Sequence, residues 1–295
     1  MKDLIITINS LDNIDIYKDA DSFLIGNEKF AVRLSSSFTK QDIKEATKKA
    51  HSLNKNIYIS VNKIFLEDEI ADLKDYMTFL KTIEVDGIFF SDFAVFTIAK
   101  DLNILDKLVY YSETQMVNYM DAITLIDFKI KGVIISKEVT LDNIYTFADK
   151  VKKGSLGVNI YGYYHMFYSK RKLIRNYFLN YKKDYSKYIF NKKMTIKEKT
   201  RQELYPIFQD ENGTNIFNDE ILLGIDYISD FIDKGIEMFI IDGIFEEEDY
   251  MKSILEYFVL AIKNPGLKYS ELIKNKYPLK KYGEAFYFKK IGITS

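Results

Sequence analysis

Eight short apolar runs recur along the chain, and helical patterns separate most of them. The runs are continuous rather than alternating and are rich in β-branched and aromatic residues, which is typical of strands buried on both faces of a parallel sheet. They lie at residues 4–9, 21–26, 57–62, 87–92, 108–113, 132–137, 156–161 and 238–243. Apolar residues at three- and four-residue spacing predict helices at 39–54, 66–83, 140–153, 226–235 and 249–264. Strands alternating with helices in this way predict an α/β fold, a (β/α)8 TIM-like barrel.

The alternation is interrupted in two places. The first crossover, "SLDNIDIYKDA" (10–20), is short for a full helix. Residues 163–222 separate the seventh and eighth runs and are too long for a plain loop in a compact barrel. We therefore predict a barrel domain over 1–264 that carries a basic, aromatic insertion at 163–222, followed by a C-terminal extension over 265–295.

Polar residues follow the predicted strands, at the end where barrel enzymes carry their chemistry. Glu113, Gln115 and Glu138 are candidate acid–base or ligand-orienting groups, and His165 is a candidate acid–base group or substitute metal ligand. Strand ends also meet water in any barrel, so an ordinary polar rim is the plain alternative. For His165, two further alternatives are a polar residue bonded within the barrel mouth and a remnant of sequence drift without a role.

Composition removes several classes of mechanism. The 295-residue chain is 47% hydrophobic and has a net charge of −1 and no cysteine. A disulfide, a thiolate zinc site, a cysteine nucleophile and a cysteine-held iron–sulfur cluster are therefore excluded within this chain. No stretch reaches the ~18 apolar residues of a membrane helix, and the apolar run at the start is too short for a signal peptide. We expect a cytoplasmic protein with no membrane contact and no bound metal.

Residues 170–201 form a strongly basic segment in this nearly neutral chain. The segment holds twelve Lys or Arg and two acids, a net charge of +10, and aromatic residues interleave with the charges. Cations that meet phosphates beside aromatic faces that stack on bases are typical of single-stranded RNA binding. The candidate RNA-binding residues are Lys170, Lys172, Arg175, Lys182 and Lys183. The alternative is a solvated lysine-rich helix whose tyrosines pack on the barrel.

Six segments, in order and at fitting distances, resemble the collagenase-like peptidase family U32. They are "ADSFLIG" (20–26), "FAVRLSSSFT" (30–39), "AHSLNKNIYISVN" (50–62), "YSETQMVNYMDA" (111–122), "GVIISKEVTLDNI" (132–144) and "GIEMFIIDGIFEEEDYM" (235–251). A seventh, "YGYYHMFYSKRKLIRNYF" (161–178), resembles the cysteine-bearing signature of that family. The matched motifs supply the candidate substrate-binding residues Arg33, Asn62, Asn118, Tyr168 and Arg171. The planar fork of Arg33 suits a carboxylate or a phosphate.

The seventh segment departs from the family pattern where the family has cysteines. The two signature cysteines fall at His165 and Lys172, and the further cysteines that usually follow are missing as well. The resemblance links many members to an iron–sulfur cluster, so we expect no cluster in this chain.

The resemblance implies a function in RNA modification. It points to the short member of a pair that forms 5-hydroxyuridine at the wobble position of tRNA. The implied partner is a longer, cysteine-containing U32 paralogue, and prephenate is the implied co-substrate of the system. Whether this chain is itself an enzyme stays open at this stage, since a U32-type peptidase and a non-catalytic scaffold partner are the alternatives.

Overall fold

The computed structural model describes residues 2–200 and 202–288 and confirms the predicted α/β barrel. Its eight parallel strands, numbered with the others along the chain, are β1 (Asp3–Thr7), β2 (Ser22–Gly26), β3 (Asn56–Val61), β4 (Gly87–Phe90), β5 (Leu108–Tyr110), β6 (Gly132–Ile134), β7 (Ser155–Ser169) and β11 (Met238–Ile241). Neighbours in this order pair in parallel, and β11 pairs with both β1 and β7, which closes the sheet. Each strand overlaps one of the eight apolar runs.

Helices follow the strands and form the outer layer. They are α1 (Asn13–Ile16), α2 (Lys40–Ser52), α3 (Ile70–Thr82), α4 (Phe93–Asp101), α5 (Tyr119–Asp127), α6 (Leu141–Lys150), α8 (Ile228–Asp233) and α9 (Glu248–Lys263). The short first crossover yields only the four-residue helix α1. Local chemistry sets the start of α2, where the Thr39 hydroxyl accepts from the Asp42 backbone and the Asp42 carboxylate accepts in return.

The apolar runs are continuous because each strand is buried on both faces. Inside the barrel one buried cluster is formed by Ile5, Leu24, Tyr58, Phe89, Val109, Tyr111, Ile134, Met238 and Ile240. A second, larger cluster lies between the strands and the helices. The interior cluster fills the barrel below the loops that follow the strands, so the open space lies at the mouth.

The insertion begins as a continuation of β7 rather than as a loop. The pattern predicts that the seventh strand ends at 161, whereas β7 runs on to Ser169. Its extension pairs antiparallel with β10 (Gly213–Leu223), which pairs with β9 (Leu204–Asp210), and β9 pairs with β8 (Thr195–Lys197). The short helix α7 (Leu173–Asn180) lies between β7 and β8. The strand is longer than predicted because its partner β10 comes from far along the chain.

The C-terminal extension packs back on the barrel. Helix α10 (Tyr269–Lys276) is followed by the short strand β12 (Tyr282–Gly283), which pairs in parallel with β10. A chain of hydroxyls joins Tyr161 to Tyr250 at 2.7 Å and Tyr250 to Tyr282 at 2.7 Å. The last seven residues of the predicted extension, 289–295, lie outside the described residues. Within the described part of the chain, none of the helices has the length and apolarity to cross a bilayer.

Candidate functional site

A cleft of about 350 Å³ lies at the mouth of the barrel. Its walls come from the loops after β2, β3, β4 and β5 and from the extended part of β7. Six of the nine predicted catalytic and substrate-binding residues line it: Arg33, Asn62, Glu113, Gln115, His165 and Tyr168. A smaller cavity of about 30 Å³ shares Arg33, Asn62 and Glu113 with the cleft, and Asp242 also lines it. The fold therefore brings residues that are distant in sequence into one pocket.

Glu113 lies at the floor of the cleft between two cations. Its Oε1 lies 3.1 Å from Nη2 of Arg33, and its Oε2 lies 3.3 Å from Nζ of Lys137. Glu113 and Lys137 are each only 7% exposed. Burial by itself would raise the pKa of Glu113, but Lys137 and Arg33 outweigh it and hold that pKa at about 2. The carboxylate is thus ionised at neutral pH and is a weak base.

Both members of the Arg33–Glu113 pair have left-handed backbone conformations. The φ angles are 60° for Arg33 and 68° for Glu113. Side-chain-bearing residues enter this region at a cost of about 1 kcal/mol or more each. Two hydrogen bonds hold the backbone next to Arg33 in place. Nδ2 of Asn212 donates to the carbonyl of Ala31 at 3.2 Å, and the Val32 amide donates to Oδ1 of Asn62 at 3.0 Å. The loop before Arg33 is therefore fixed from two sides.

His165 lies on the extension of β7, opposite Phe217 of β10. Its ring packs edge-on against the Phe217 ring, with centroids 5.4 Å apart. Burial, together with the nearby charge of Arg33, lowers the pKa of His165 to about 3. The imidazole is therefore neutral at physiological pH. Among the residues that the structure describes, its Nε2 atom has no hydrogen-bond partner.

Three site features escape prediction from the sequence. Lys137 is the second cation on Glu113, and Asp242 lines the adjoining cavity, where partial burial raises its pKa. Tyr111 lies beneath Glu113 and donates from its hydroxyl to Oδ1 of Asn159 at 2.8 Å. The sequence does contain a pattern that could identify Lys137 and Asp242 as site residues, because each is a charged residue at the end of a continuous apolar run.

Three predicted residues lie away from the cleft. Asn118 caps α5, where its side chain accepts from the Asp121 amide at 3.0 Å and donates to the Asp121 carboxylate at 2.7 Å. Arg171 is exposed in the turn after β7. Glu138 follows β6 outside the cleft lining, and its amide donates to Oγ of Ser136 at 3.2 Å. Helix capping accounts for the presence of Asn118 at this position. The roles assigned to Glu138 in catalysis and to Arg171 in substrate binding stay predictions.

The insertion is fastened to the barrel mouth through its basic residues. Nζ of Lys170 donates to the Ile64 carbonyl at 2.9 Å, and Lys172 pairs with Glu211. Nζ of Lys192 donates to the carbonyls of Leu34, at 3.1 Å, and Ser35. The bonds of Lys170 and Lys192 tie the insertion to the loops after β3 and β2, whereas Lys172 and Glu211 pair within the insertion. The charges of Lys170, Lys172 and Lys192 therefore have partners within the protein and are not free to bind a ligand.

Other residues of the insertion face solvent. Lys182 and Lys183 are exposed, and so is Arg175, whose guanidinium lies 5.5 Å from the Tyr185 ring centroid. The side chains of Tyr177 and Tyr181 are 60% and 59% exposed, and their ring centroids lie 5.0 Å apart. These two tyrosines are not packed on the barrel. Their rings and the three exposed cations together form what we call the α7 face.

The residues present do not fit a cluster held by thiolates. The positions that match the family's signature cysteines carry His165, buried beside Phe217, and Lys172, paired with Glu211. Within the described ranges, no group of three or more His, Asp or Glu side chains is arranged to hold a metal ion. We derive no chemistry through a cluster or a metal in this chain.

Comparisons with known proteins agree with this architecture. The chain is 32% identical over 252 residues to tRNA hydroxylation protein P2 of Bacillus subtilis (strain 168), which covers 84% of this chain and 80% of the relative. It is 24% identical over 159 residues to tRNA hydroxylation protein P of Helicobacter pylori (strain ATCC 700392 / 26695), which covers 52% of this chain and 37% of that relative.

A solved structure and a family model extend the comparison. A U32 peptidase of known structure superposes with a TM-score of 0.50 at 12% identity, over 82% of this chain and 92% of its own, and so shares the fold. The model of peptidase family U32 matches residues 12–285, which include every residue that lines the mouth cleft. The chain belongs to peptidase family U32.

Proposed function

We propose that this chain is a subunit of a system that hydroxylates the wobble uridine of tRNA at carbon 5. The observation that carries the proposal is the 32% identity to tRNA hydroxylation protein P2 over four fifths of both chains. A longer, cysteine-bearing U32 paralogue is the proposed partner, since this chain has no cysteine to hold a cluster. Prephenate is the proposed co-substrate of the assembled system.

The position of the insertion supports a role with RNA. The α7 face presents three exposed cations and two exposed tyrosines on the segment that continues β7 from the cleft. Cations bind the phosphates of RNA whatever its base sequence, and aromatic faces stack on unpaired bases. An anticodon loop is single-stranded and offers both. RNA held at this face lies on the same insertion that carries His165 into the mouth.

A gene deletion tests the proposal. We expect tRNA from the deletion strain to lose nucleosides derived from 5-hydroxyuridine, measured by mass spectrometry of digested tRNA, and a plasmid copy to restore them. Unchanged nucleoside levels would refute the proposal. The partner is tested by affinity purification of the tagged full-length chain, in which the cysteine-bearing paralogue should co-purify.

The same strain separates catalysis from a scaffold role. A plasmid variant with alanine at Glu113, Glu138 and His165 should fail to restore the modification while still retaining the paralogue. Wild-type modification by this variant would favour a scaffold whose mouth carries no chemistry. Immunoblotting checks that the variant accumulates, because Glu113 and His165 are buried.

The family name raises peptidase activity as a second candidate, and the site chemistry argues against it. A general base works best when its pKa lies near the working pH. The pKa of Glu113 is held at about 2 and that of His165 at about 3, so neither is matched to activating water at neutral pH. Pure protein incubated with gelatin should release no peptides, and cleavage abolished by Glu138→Gln would overturn this expectation.

A further inference from the structure

The extension of β7 contains a β-bulge where it passes the mouth cleft. His165 pairs with Phe217 of β10 and Phe167 pairs with Ile216, so the residue between them, Met166, has no partner on β10. Consecutive side chains of a regular strand point to opposite faces, and a bulge changes the direction in which they point. His165, Met166 and Phe167 are consecutive, and all three line the cleft. The bulge accounts for the presence of consecutive side chains on one cleft wall.

The bulge and the loop after β3 expose large apolar side chains at the opening of the cleft. Met166 is 45% exposed, Phe167 is 44% exposed and Ile64 is 50% exposed, and all three line the cleft. His165 packs on the Phe217 ring, but none of the described aromatic rings stacks on Phe167. Contiguous apolar groups left in contact with water commonly mark a binding surface. We call Ile64, Met166 and Phe167 the cleft rim.

The size of the cleft rim suits a small flat group better than a protein surface. Each partner in a stable protein complex buries about 800 Å², which is far more than three half-exposed side chains offer. An aromatic ring, by contrast, stacks on a single base. The cleft behind the rim has a volume of about 350 Å³ and is also lined by the neutral polar residues Ser91, Ser112, Thr114 and Gln115. Such groups can form hydrogen bonds with the edges of an unpaired base.

The strand that carries the rim leads directly into the basic segment. Residues 170–201 begin three positions after Phe167 and have a net charge of +10. The cations of the α7 face, Arg175, Lys182 and Lys183, are exposed. Eight residues separate Phe167 from Arg175, so their Cα atoms lie within about 28 Å of each other even if the chain between them were fully extended. A short single strand of RNA can therefore contact the α7 face and the cleft rim at once.

We propose that the cleft rim binds single-stranded RNA, with the ring of Phe167 stacking on an unpaired base while the cations of the α7 face bind phosphates of the same strand. This inference rests on the proposed function and deepens it, because it names the contact that holds the strand at the mouth. Every base has a π face, so Phe167 positions the strand without reading its sequence. Paired RNA keeps its bases stacked within the helix and offers no free face to the ring.

A single tryptophan tests the stacking contact directly. The chain contains no Trp, so Phe167→Trp places the only indole of the protein at the cleft rim. We expect a single-stranded RNA decanucleotide to quench the fluorescence of this indole, and the same sequence in a duplex to bind at least tenfold more weakly. Phe128→Trp is the matched control, because Phe128 is 54% exposed but follows α5 at the end of that helix away from the mouth. Its fluorescence should not change.

Affinity measurements separate stacking from charge. In fluorescence anisotropy with a labelled decanucleotide, Phe167→Leu keeps an apolar side chain but loses the flat ring, so binding should weaken about tenfold. The slope of log K against log salt should not change, and Phe167→Tyr should bind as wild type does. The double variant Lys182→Ala, Lys183→Ala should instead reduce that slope by about 1.4, because two phosphate contacts are lost. Circular dichroism checks that each variant is folded.

Two results would overturn the inference. One is an emission of Phe167→Trp that single-stranded RNA leaves unchanged, and the other is a Phe167→Leu variant that binds RNA as tightly as the wild type does. If the purified cysteine-bearing paralogue changes the emission and RNA does not, the cleft rim is a protein interface instead.

Failure of this inference and failure of the proposed function give different results. If deletion removes the tRNA modification but RNA leaves the emission of Phe167→Trp unchanged, the function stands and the strand is held elsewhere. If RNA quenches that emission but deletion leaves tRNA nucleosides unchanged, the RNA-binding rim stands and the proposed function falls.

Discussion

Replacing Glu113 with Gln should destabilise the protein far more than the loss of an ordinary surface charge. The change keeps the shape of the side chain but leaves Arg33 and Lys137 as two buried cations without their shared carboxylate. The pKa of Glu113 falls from 4.5 to about 2 on folding, which corresponds to about 3 kcal/mol of stability at pH 7. Removing one partner of a buried ion pair costs a similar ~3–5 kcal/mol.

The acid dependence of this contribution follows from the sign of the shift. A carboxyl group whose pKa is lowered by folding stabilises the protein fully above its unfolded pKa of 4.5. The contribution is lost as the pH falls from there towards a pKa of about 2. The difference between wild type and Glu113→Gln should therefore be constant from pH 6 to 8 and fall to roughly half by pH 3.

Urea unfolding followed by circular dichroism measures this difference. Asp72→Asn is a matched control, because Asp72 pairs with Lys29 at only 2.6 Å but the two side chains are 56% and 59% exposed. That variant should cost at most about 0.5 kcal/mol, since water screens exposed pairs. The double variant Glu113→Gln, Lys137→Met should recover part of the loss because one stranded cation is gone. A cost for Glu113→Gln no larger than that of Asp72→Asn would refute the reasoning.

Three further predictions address other parts of the molecule. Burial lowers the pKa of His165 from 6.5 to about 3, so the unfolded chain takes up a proton before the folded chain does as the pH falls. The free energy of unfolding of the wild type should therefore decrease by about 2 kcal/mol between pH 7 and 5 relative to His165→Gln. Urea midpoints of the two proteins that change in parallel with pH would contradict this. Gly213→Ala should cost more than about 2 kcal/mol, because its φ is +136° and a Cβ would lie 2.1 Å from the Ser169 carbonyl oxygen. Gly235→Ala, at φ +86° with nothing within 4 Å of its Cβ, is the control and should cost only about 1 kcal/mol in thermal unfolding. Asn212→Ala removes the bonds to the carbonyls of Glu28 and Ala31, so amides of residues 28–35 should exchange hydrogen faster by mass spectrometry, and unchanged exchange would show that the insertion does not hold that loop.

The pattern of apolar and polar residues was sufficient to predict the barrel because it is local and repeats along the chain. Each strand is buried on both faces and each helix on one, so the apolar runs and the three- and four-residue spacing carry the information directly. The mouth could be predicted for the same reason: parallel strands end on one side, and residues such as Asn62 and Glu113 follow those ends. The antiparallel ribbon of the insertion could not be predicted, since β7 and β10 are joined by a long connection and their register depends on both.

The sequence by itself determined the eight-stranded barrel, the absence of thiolate chemistry in this chain and the polar identity of its mouth. Only the tertiary structure decided which charges meet. It brings Lys137 from the loop after β6 and Arg33 from the loop after β2 onto Glu113, and it buries His165 with no hydrogen-bond partner for Nε2 among the described residues. It also separates lysines that anchor the insertion from those that face solvent. The reason is physical: pairing and burial depend on distances between residues far apart in the chain, and composition and periodicity do not contain those distances.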